Sequence, residues 1–192
     1  MDLSAYKAVS ESRVTLTELM IPSYANFGGK IHGGILLGLM DKVAYACAAR
    51  HAGGYCVTVS VDNVNFRAPV EVGDLVSLMA SMNYVGRSSM VVGIRVVAEN
   101  VATRQVRHTN TSYFTMIHKG PDGQPAQVPP LLIETADDLR RYIEAVKRVE
   151  LRERYEQELD RERTNMELQA ELPALEGGDL PCLRTSCSRI SW

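Results

Sequence analysis

Apolar positions first alternate along this chain, then crowd together, then alternate again. In "SRVTLTELMI", residues 12–21, Val14 and Leu16 stand between polar neighbours, and after a shift Leu19 or Ile21 continues the series. That period of two predicts a first strand, and Pro22 ends it. Residues 22–32 are a loop of small residues. The pattern then changes character. Ile35, Leu36, Leu39, Met40, Val43, Ala44 and Cys47, with Leu37, Ala46 and Ala48 between them, leave almost no polar face. This spacing predicts a helix from about Gly33 to His51, buried on nearly every side, and "AGG" at 52–54 supplies its stop. Asp41 is the only carboxylate in that helix. An acid in apolar surroundings is costly unless it has a partner or a task.

Four strand-like runs follow. "YCVTVSVDNVNF" sets Val57, Val59 and Val61 against Thr58, Ser60 and Asp62, and "GDLVSLMASMNYVG", "SSMVVGIRVVAEN" and "RQVRHTNTSYFTMIH" come after it. The joins are short, as in an antiparallel meander. One strand, one long helix and four more strands predict an α+β fold in which the sheet curls around the helix. "GPDGQPAQVPP", 120–130, is loop by composition. Thr135, with Asp138 three residues on, opens a second helical stretch. Its apolar stripe, Leu139, Ile143, Val146 and Val149, is narrow. Between Arg140 and Arg163 eight basic residues meet seven acidic ones, the balance of a solvated helix. Residues 1–130 are therefore expected to form one domain, 131–170 a charged helical extension, and 171–192 a disordered tail.

Composition narrows the function. The chain has 192 residues, 45% of them hydrophobic, and a formal net charge of -2. That charge gives no reason to expect a nucleic-acid partner. No apolar run approaches the ~20 residues of a membrane span, and the N-terminus lacks the apolar core of a secretory signal. The four cysteines, Cys47, Cys56, Cys182 and Cys187, form no CxxC pair, and neither they nor the four histidines have metal-ligand spacing. Free thiols and no metal, in a cytoplasmic protein, is the expectation.

The run "NFGGKIHGGILLGLMD", the strand "YCVTVSVDNVNFRAPVEVGDLV", the turn "VGRSSM" and the strand "RHTNTSYFTMIHKG" together resemble the hotdog-fold acyl-CoA thioesterases. The nearest group is the bacterial acyl-CoA hydrolases related to the cytosolic brain-type enzyme. The likeness covers roughly residues 12–130. It implies a hotdog fold, with a five-stranded antiparallel sheet wrapped around a long helix. It implies a homodimer with a continuous ten-stranded sheet, commonly assembled as a trimer of dimers. It implies hydrolysis of acyl-CoA to free acid and CoA without a metal. The family's loop asparagine and helix aspartate match Asn26 and Asp41 here, and the resemblance favours Arg87, Ser88 and Ser89 as contacts to CoA.

The chemistry of these residue types fits that reaction. A carboxylate in apolar surroundings becomes a better base. Asp41 could activate a water or attack the carbonyl itself, and the sequence leaves both open. Gly33 and Gly34 open the helix, where free N–H groups meet a partial positive charge and no side chain blocks a carbonyl oxygen. Asn26 could add an N–H donor or hold the water. Asp41 lies seven residues beyond Gly34, about 10 Å along a helix axis. Two helices packed antiparallel across a two-fold axis close that gap, with Asp41 of one copy near the loop and helix start of the other. Arg87, Ser88 and Ser89 offer a fork of donors for phosphate; Arg67, Arg107 and His108 are further candidates. His32 reads as a loop histidine bonded to backbone, against the alternative of an acid–base group. Two other functions remain open at this stage. One is a hotdog enoyl-CoA hydratase or dehydratase using His32 with Asp41. The other is a non-catalytic acyl-CoA sensor, though no DNA-binding helix-turn-helix is evident.

Overall fold

The computed structural model describes residues 5–165, so the expected tail at 171–192 and the last residues of the expected extension lie outside them. The chain enters through a two-residue strand, β1 (Lys7–Ala8), and one helical turn, α1 (Val9–Ser12). Neither is legible in the hydropathy pattern, because each is too short to complete a period. β2 (Val14–Leu19) follows, and Pro22 opens a 3-10 turn over Pro22–Tyr24. Then come α2 (Gly33–Ala52), β3 (Cys56–Val61), β4 (Asp74–Val85), β5 (Ser89–Asn100) and β6 (Val106–His118). A second two-residue strand, β7 (Leu131–Leu132), pairs parallel with β1, and α3 (Ala136–Asn165) ends the described chain.

The long strands form one antiparallel sheet in the order β2-β4-β5-β6-β3. α2 touches all five. Its buried side, with Met40, Val43, Ala44 and Cys47, packs on the inner sheet face, where Leu78, Ile94, Phe114 and Met116 are fully enclosed. The period of two in the strands and the contact stripe of the helix thus meet in one core. Burial pushes the Cys47 thiol up to about 12 and the Cys56 thiol up to about 11, so both are inert core residues.

The expectation that α2 is buried on nearly every side is corrected. Leu37, Gly38, Asp41, Lys42 and Tyr45 form an exposed stripe at helical spacing, Leu37 being 38% and Tyr45 42% accessible. A single curved sheet covers only one side of a helix, and the described residues leave this stripe on the other side exposed.

Both ends of α2 are fixed locally. The Gly34 N–H donates to His32 Nδ1 at 2.9 Å, so the histidine caps the helix. At the far end Gly53 takes the left-handed conformation, φ 74°, and its N–H donates to Ala49 O. The start of α3 follows the predicted signal. The Asp138 N–H donates to Thr135 Oγ1 at 3.1 Å, and Thr135 Oγ1–H donates to Asp138 Oδ2 at 2.7 Å. Arg13 pairs with Asp138 at 2.6 Å, and Ala145 is fully buried. By its contacts the chain resolves into two compact units, one running through Val146 and one from Lys147 onward.

Candidate active site

Asp41 sits at the middle of the exposed α2 stripe. Its Oδ1 accepts a 2.6 Å hydrogen bond from Thr58 Oγ1–H. That bond ties the carboxylate to β3 through one of its two oxygens. Thr58 is a candidate site residue that sequence reasoning missed. In "YCVTVSVD" it reads as the polar partner of an alternation, with the valines turned to the core. The register places Thr58 opposite the buried Met116, on the helix side of the sheet. A bulge between Thr58 and Ser60 then lets Val59 drop out of the pairing. No sequence signal fixes that register. The only clue is a small hydroxyl residue within one strand of the helix that carries the acid.

Asn26 lies in the loop before α2. Its Oδ1 accepts from the Gly28 N–H at 2.9 Å and the Lys30 N–H at 3.2 Å. The backbone N–H of Asn26 donates to Lys30 O at 2.7 Å, which closes the loop. The side-chain oxygen is therefore engaged in holding the loop, and the amide NH2 is the group able to face a substrate. Of the two predicted helix-start donors, the Gly34 N–H is occupied by His32. The Gly33 N–H remains, beside the Phe66 ring, which a Cβ at Gly33 would meet at 3.4 Å. His32 thus serves as the backbone-bonded histidine, and its Nδ1 is not free for acid–base work.

Arg87, Ser88 and Ser89 form the tight turn between β4 and β5, closed by the Gly86 N–H donating to Ser89 O at 2.8 Å. Ser89 shares a row with Ile117 and Val57, which puts this turn about two strand spacings, ~10 Å, from the start of β3. Arg87 is exposed at the lip of a cavity of about 470 Å³ lined also by Val85, Gln127, Val128 and Pro130. Arg107, a further phosphate candidate, is engaged with the buried Asp74 and with Pro69 O. His108 Nε2 bonds Thr111 Oγ1 at 2.9 Å. Within one chain, then, the structure joins Asp41 to Thr58 and Asn26 to its own loop. It leaves Gly33 and Asp41 separated along α2, by about 12 Å at the helical rise.

Exposed large apolar residues lie on the same segments: Phe27 in the loop before α2, Leu37 and Tyr45 on α2, Val59 and Val61 on β3, and Phe66 after it. β3 is the edge strand of the sheet on the same side, with β6 as its only strand neighbour.

Residues 28–104 match the family model described as the thioesterase superfamily. The chain is 44% identical over 143 residues to the Helicobacter pylori protein VdlD, covering 74% of this chain and 82% of that one. It is 32% identical over 148 residues to the Bacillus subtilis acyl-CoA thioester hydrolase YkhA, itself called uncharacterized, covering 77% and 86%. An apo-hexameric acyl-CoA thioesterase superposes with a TM-score of 0.76 at 34% identity, covering 78% of this chain and 96% of that one. A Staphylococcus aureus acyl-CoA hydrolase bound to butyryl-CoA and CoA superposes at 0.75 with 30% identity, covering 84% and 99%. Further structures of that enzyme carry alanine in place of an aspartate, a threonine or an asparagine. The sheet wrapped on α2, the paired Asp41 and Thr58 and these likenesses agree: the chain belongs to the hotdog-fold acyl-CoA thioester hydrolases of the thioesterase superfamily.

Proposed function

We propose that this protein hydrolyses fatty acyl-CoA to free acid and CoA at sites shared by two copies of the chain. One copy supplies Asp41 and Thr58, and the other supplies Asn26 and the Gly33 helix start. The observation that carries this reading is the carboxylate held by Thr58 in the centre of an uncovered apolar helix face. A second copy packed antiparallel on that face dries it and brings a loop and helix start to Asp41, which this chain's own loop does not reach. The free edge of β3 can pair with its symmetry mate, which supports a continuous ten-stranded sheet. The asparagine, aspartate and threonine altered in the S. aureus variants are the residue types assembled here. Hexameric relatives favour a trimer of such dimers.

In the reaction, Asp41 Oδ2 takes a proton from water as the water oxygen attacks the thioester carbonyl. The developing oxyanion is met by the Gly33 N–H and the Asn26 NH2. The C–S bond breaks, and the proton passes to the departing thiolate. Direct attack by Asp41, with water cleaving the anhydride afterwards, uses the same residues. Arg87, Ser88 and Ser89 receive CoA phosphates, and the net charge and composition fit a cytoplasmic enzyme of acyl-CoA metabolism. The hydratase alternative is disfavoured because the matching relatives and solved structures are acyl-CoA thioester hydrolases.

Mixing inactive subunits tests the shared site. Asn26→Asp keeps the loop-holding oxygen and removes the NH2; Asp41→Asn removes the base. After subunit exchange at equal amounts, half the dimers are mixed, and each of these carries one intact site. Activity should recover to about a quarter of wild type, since each single loss costs at least ~100-fold. No recovery, with exchange verified by mass spectrometry, would place both residues in one chain's site.

A further inference from the structure

The distal part of α3 has a pattern that the hydrolase site does not use. Leu151, Tyr155 and Leu159 stand four residues apart and share one helix face. Leu151 is 62% and Tyr155 64% exposed and Leu159 is half-buried, so most of this stripe lacks cover among the described residues. The charges around it are sorted. Residues 147–154 hold four basic and two acidic side chains, whereas 155–163 hold four acidic and two basic.

That sorting selects an orientation. Set a second copy of the helix antiparallel, with the two-fold axis at Tyr155. Residues equally far before and after Tyr155 then face each other. Leu151 meets the partner's Leu159, and Tyr155 meets the partner's Tyr155. On the same face, Arg148 meets the partner's Glu162 and Arg152 meets the partner's Glu158. A parallel in-register pair would instead place arginine on arginine and glutamate on glutamate, which charges flanking an apolar seam select against. Arg148 and Arg152 also make contacts inside their own chain; the pairing adds partners and does not depend on either being free.

We propose that the distal part of α3 is a self-docking helix that pairs antiparallel with the same segment of a second copy of this chain. Three apolar positions per helix make a seam smaller than the ~1,200 Å² of a stand-alone interface. The contact therefore works between copies already held at high local concentration, where a weak second contact adds avidity.

Cysteine cross-linking of the full chain, with Cys182→Ser and Cys187→Ser as background, tests both the pairing and its direction. Under mild oxidation Tyr155→Cys should form a disulfide-linked dimer on the order of tenfold faster than Gln157→Cys, which lies on the opposite face, because effective concentration sets the rate. Leu151→Cys and Leu159→Cys should link only when the two are co-expressed, giving the mixed disulfide by mass spectrometry. Rates equal to the Gln157→Cys control would remove the pairing. Self-linking of Leu151→Cys and of Leu159→Cys would make it parallel and overturn the proposal. The charge basis has its own arm. Glu158→Arg with Glu162→Arg should abolish the advantage of Tyr155→Cys, and adding Arg148→Glu with Arg152→Glu should restore it; absence of that rescue also counts against the proposal.

Discussion

Thr58 holds Asp41 through one hydrogen bond, and in the proposed reaction that bond positions the acid. A bond from a hydroxyl to a carboxylate contributes about 1.5–3 kcal/mol, more than a neutral pair would, because one partner is charged. Here the 2.6 Å contact engages Oδ1 of Asp41. Thr58→Val keeps the shape of the side chain and removes the donor. Its kcat should fall about 10- to 100-fold, the rate equivalent of that energy, with KM changed much less. A variant that loses KM and keeps kcat would make Thr58 a substrate-binding residue and not one that positions Asp41. Asn26 divides the same way at the level of atoms, because its oxygen holds the loop and its nitrogen is the group offered to substrate.

At the scale of elements, the last turn of α2 is tied through His51 to α1 and to the segment before β7. The ring is fully buried. Its Nε2 lies 2.9 Å from Pro129 O, and Nδ1 lies 3.4 Å from Ser12 Oγ. A carbonyl accepts only, so the proton sits on Nε2, and a neutral ring satisfies both contacts. Burial holds the imidazole below its ordinary value, and Lys7 adds to this, while the Pro129 carbonyl and Glu11 oppose it. The unfolded chain therefore binds a proton that the folded chain does not, and stability rises with pH across that interval. The contribution is complete above about pH 6.5 and is lost as pH falls through the lowered folded value. Wild-type Tm should drop on going from pH 7 to pH 5 more steeply than that of His51→Gln, which keeps an N–H for Pro129 O. Equal slopes would show that the buried ring plays no part in the acid sensitivity. α1, β1 and β7 all meet near this ring, which explains why such short elements are ordered in the absence of long periodic patterns.

For the whole molecule, the described residues leave the α2 stripe, several valine and aromatic side chains and the outer edge of β3 uncovered. Exposed apolar side chains in such number suit an interaction surface. Val61, on β3, is 39% exposed and is not one of the reacting groups named above. Val61→Asp would place a charge where a second copy must pack, and an unpaired charge in a closed interface is strongly unfavourable. This variant should elute as a folded monomer and lose nearly all activity with Asp41, Thr58 and Asn26 intact. A monomer with normal turnover would show that one chain suffices and would end the shared-site reading.

The order of the long elements, the period of two in the main strands, the limits of α2 and the candidacy of Asp41 were legible in the sequence, because hydrophobic period, glycine stops and a lone acid in a greasy run are local properties, whereas β1, α1 and β7 were too short to show and Asn26 became a candidate through the family resemblance. Thr58 was not legible, since its direction depends on a bulge and on the pairing of β3 with β6, neither of which residues 56–61 specify alone. The exposure of α2 was misjudged for a related reason. An apolar side chain records that it is covered in the working protein and not which chain covers it, so the sequence predicted burial where the tertiary structure leaves an open face. The engagement of the Asn26 oxygen and the Gly34 N–H was likewise settled only in three dimensions, where the loop closed on itself and His32 reached the helix start. The sequence by itself picked out candidate groups for the chemistry; the fold decided which of their atoms hydrogen bonds leave open, because hydrogen bonds and register are properties of segments brought together and not of either segment by itself.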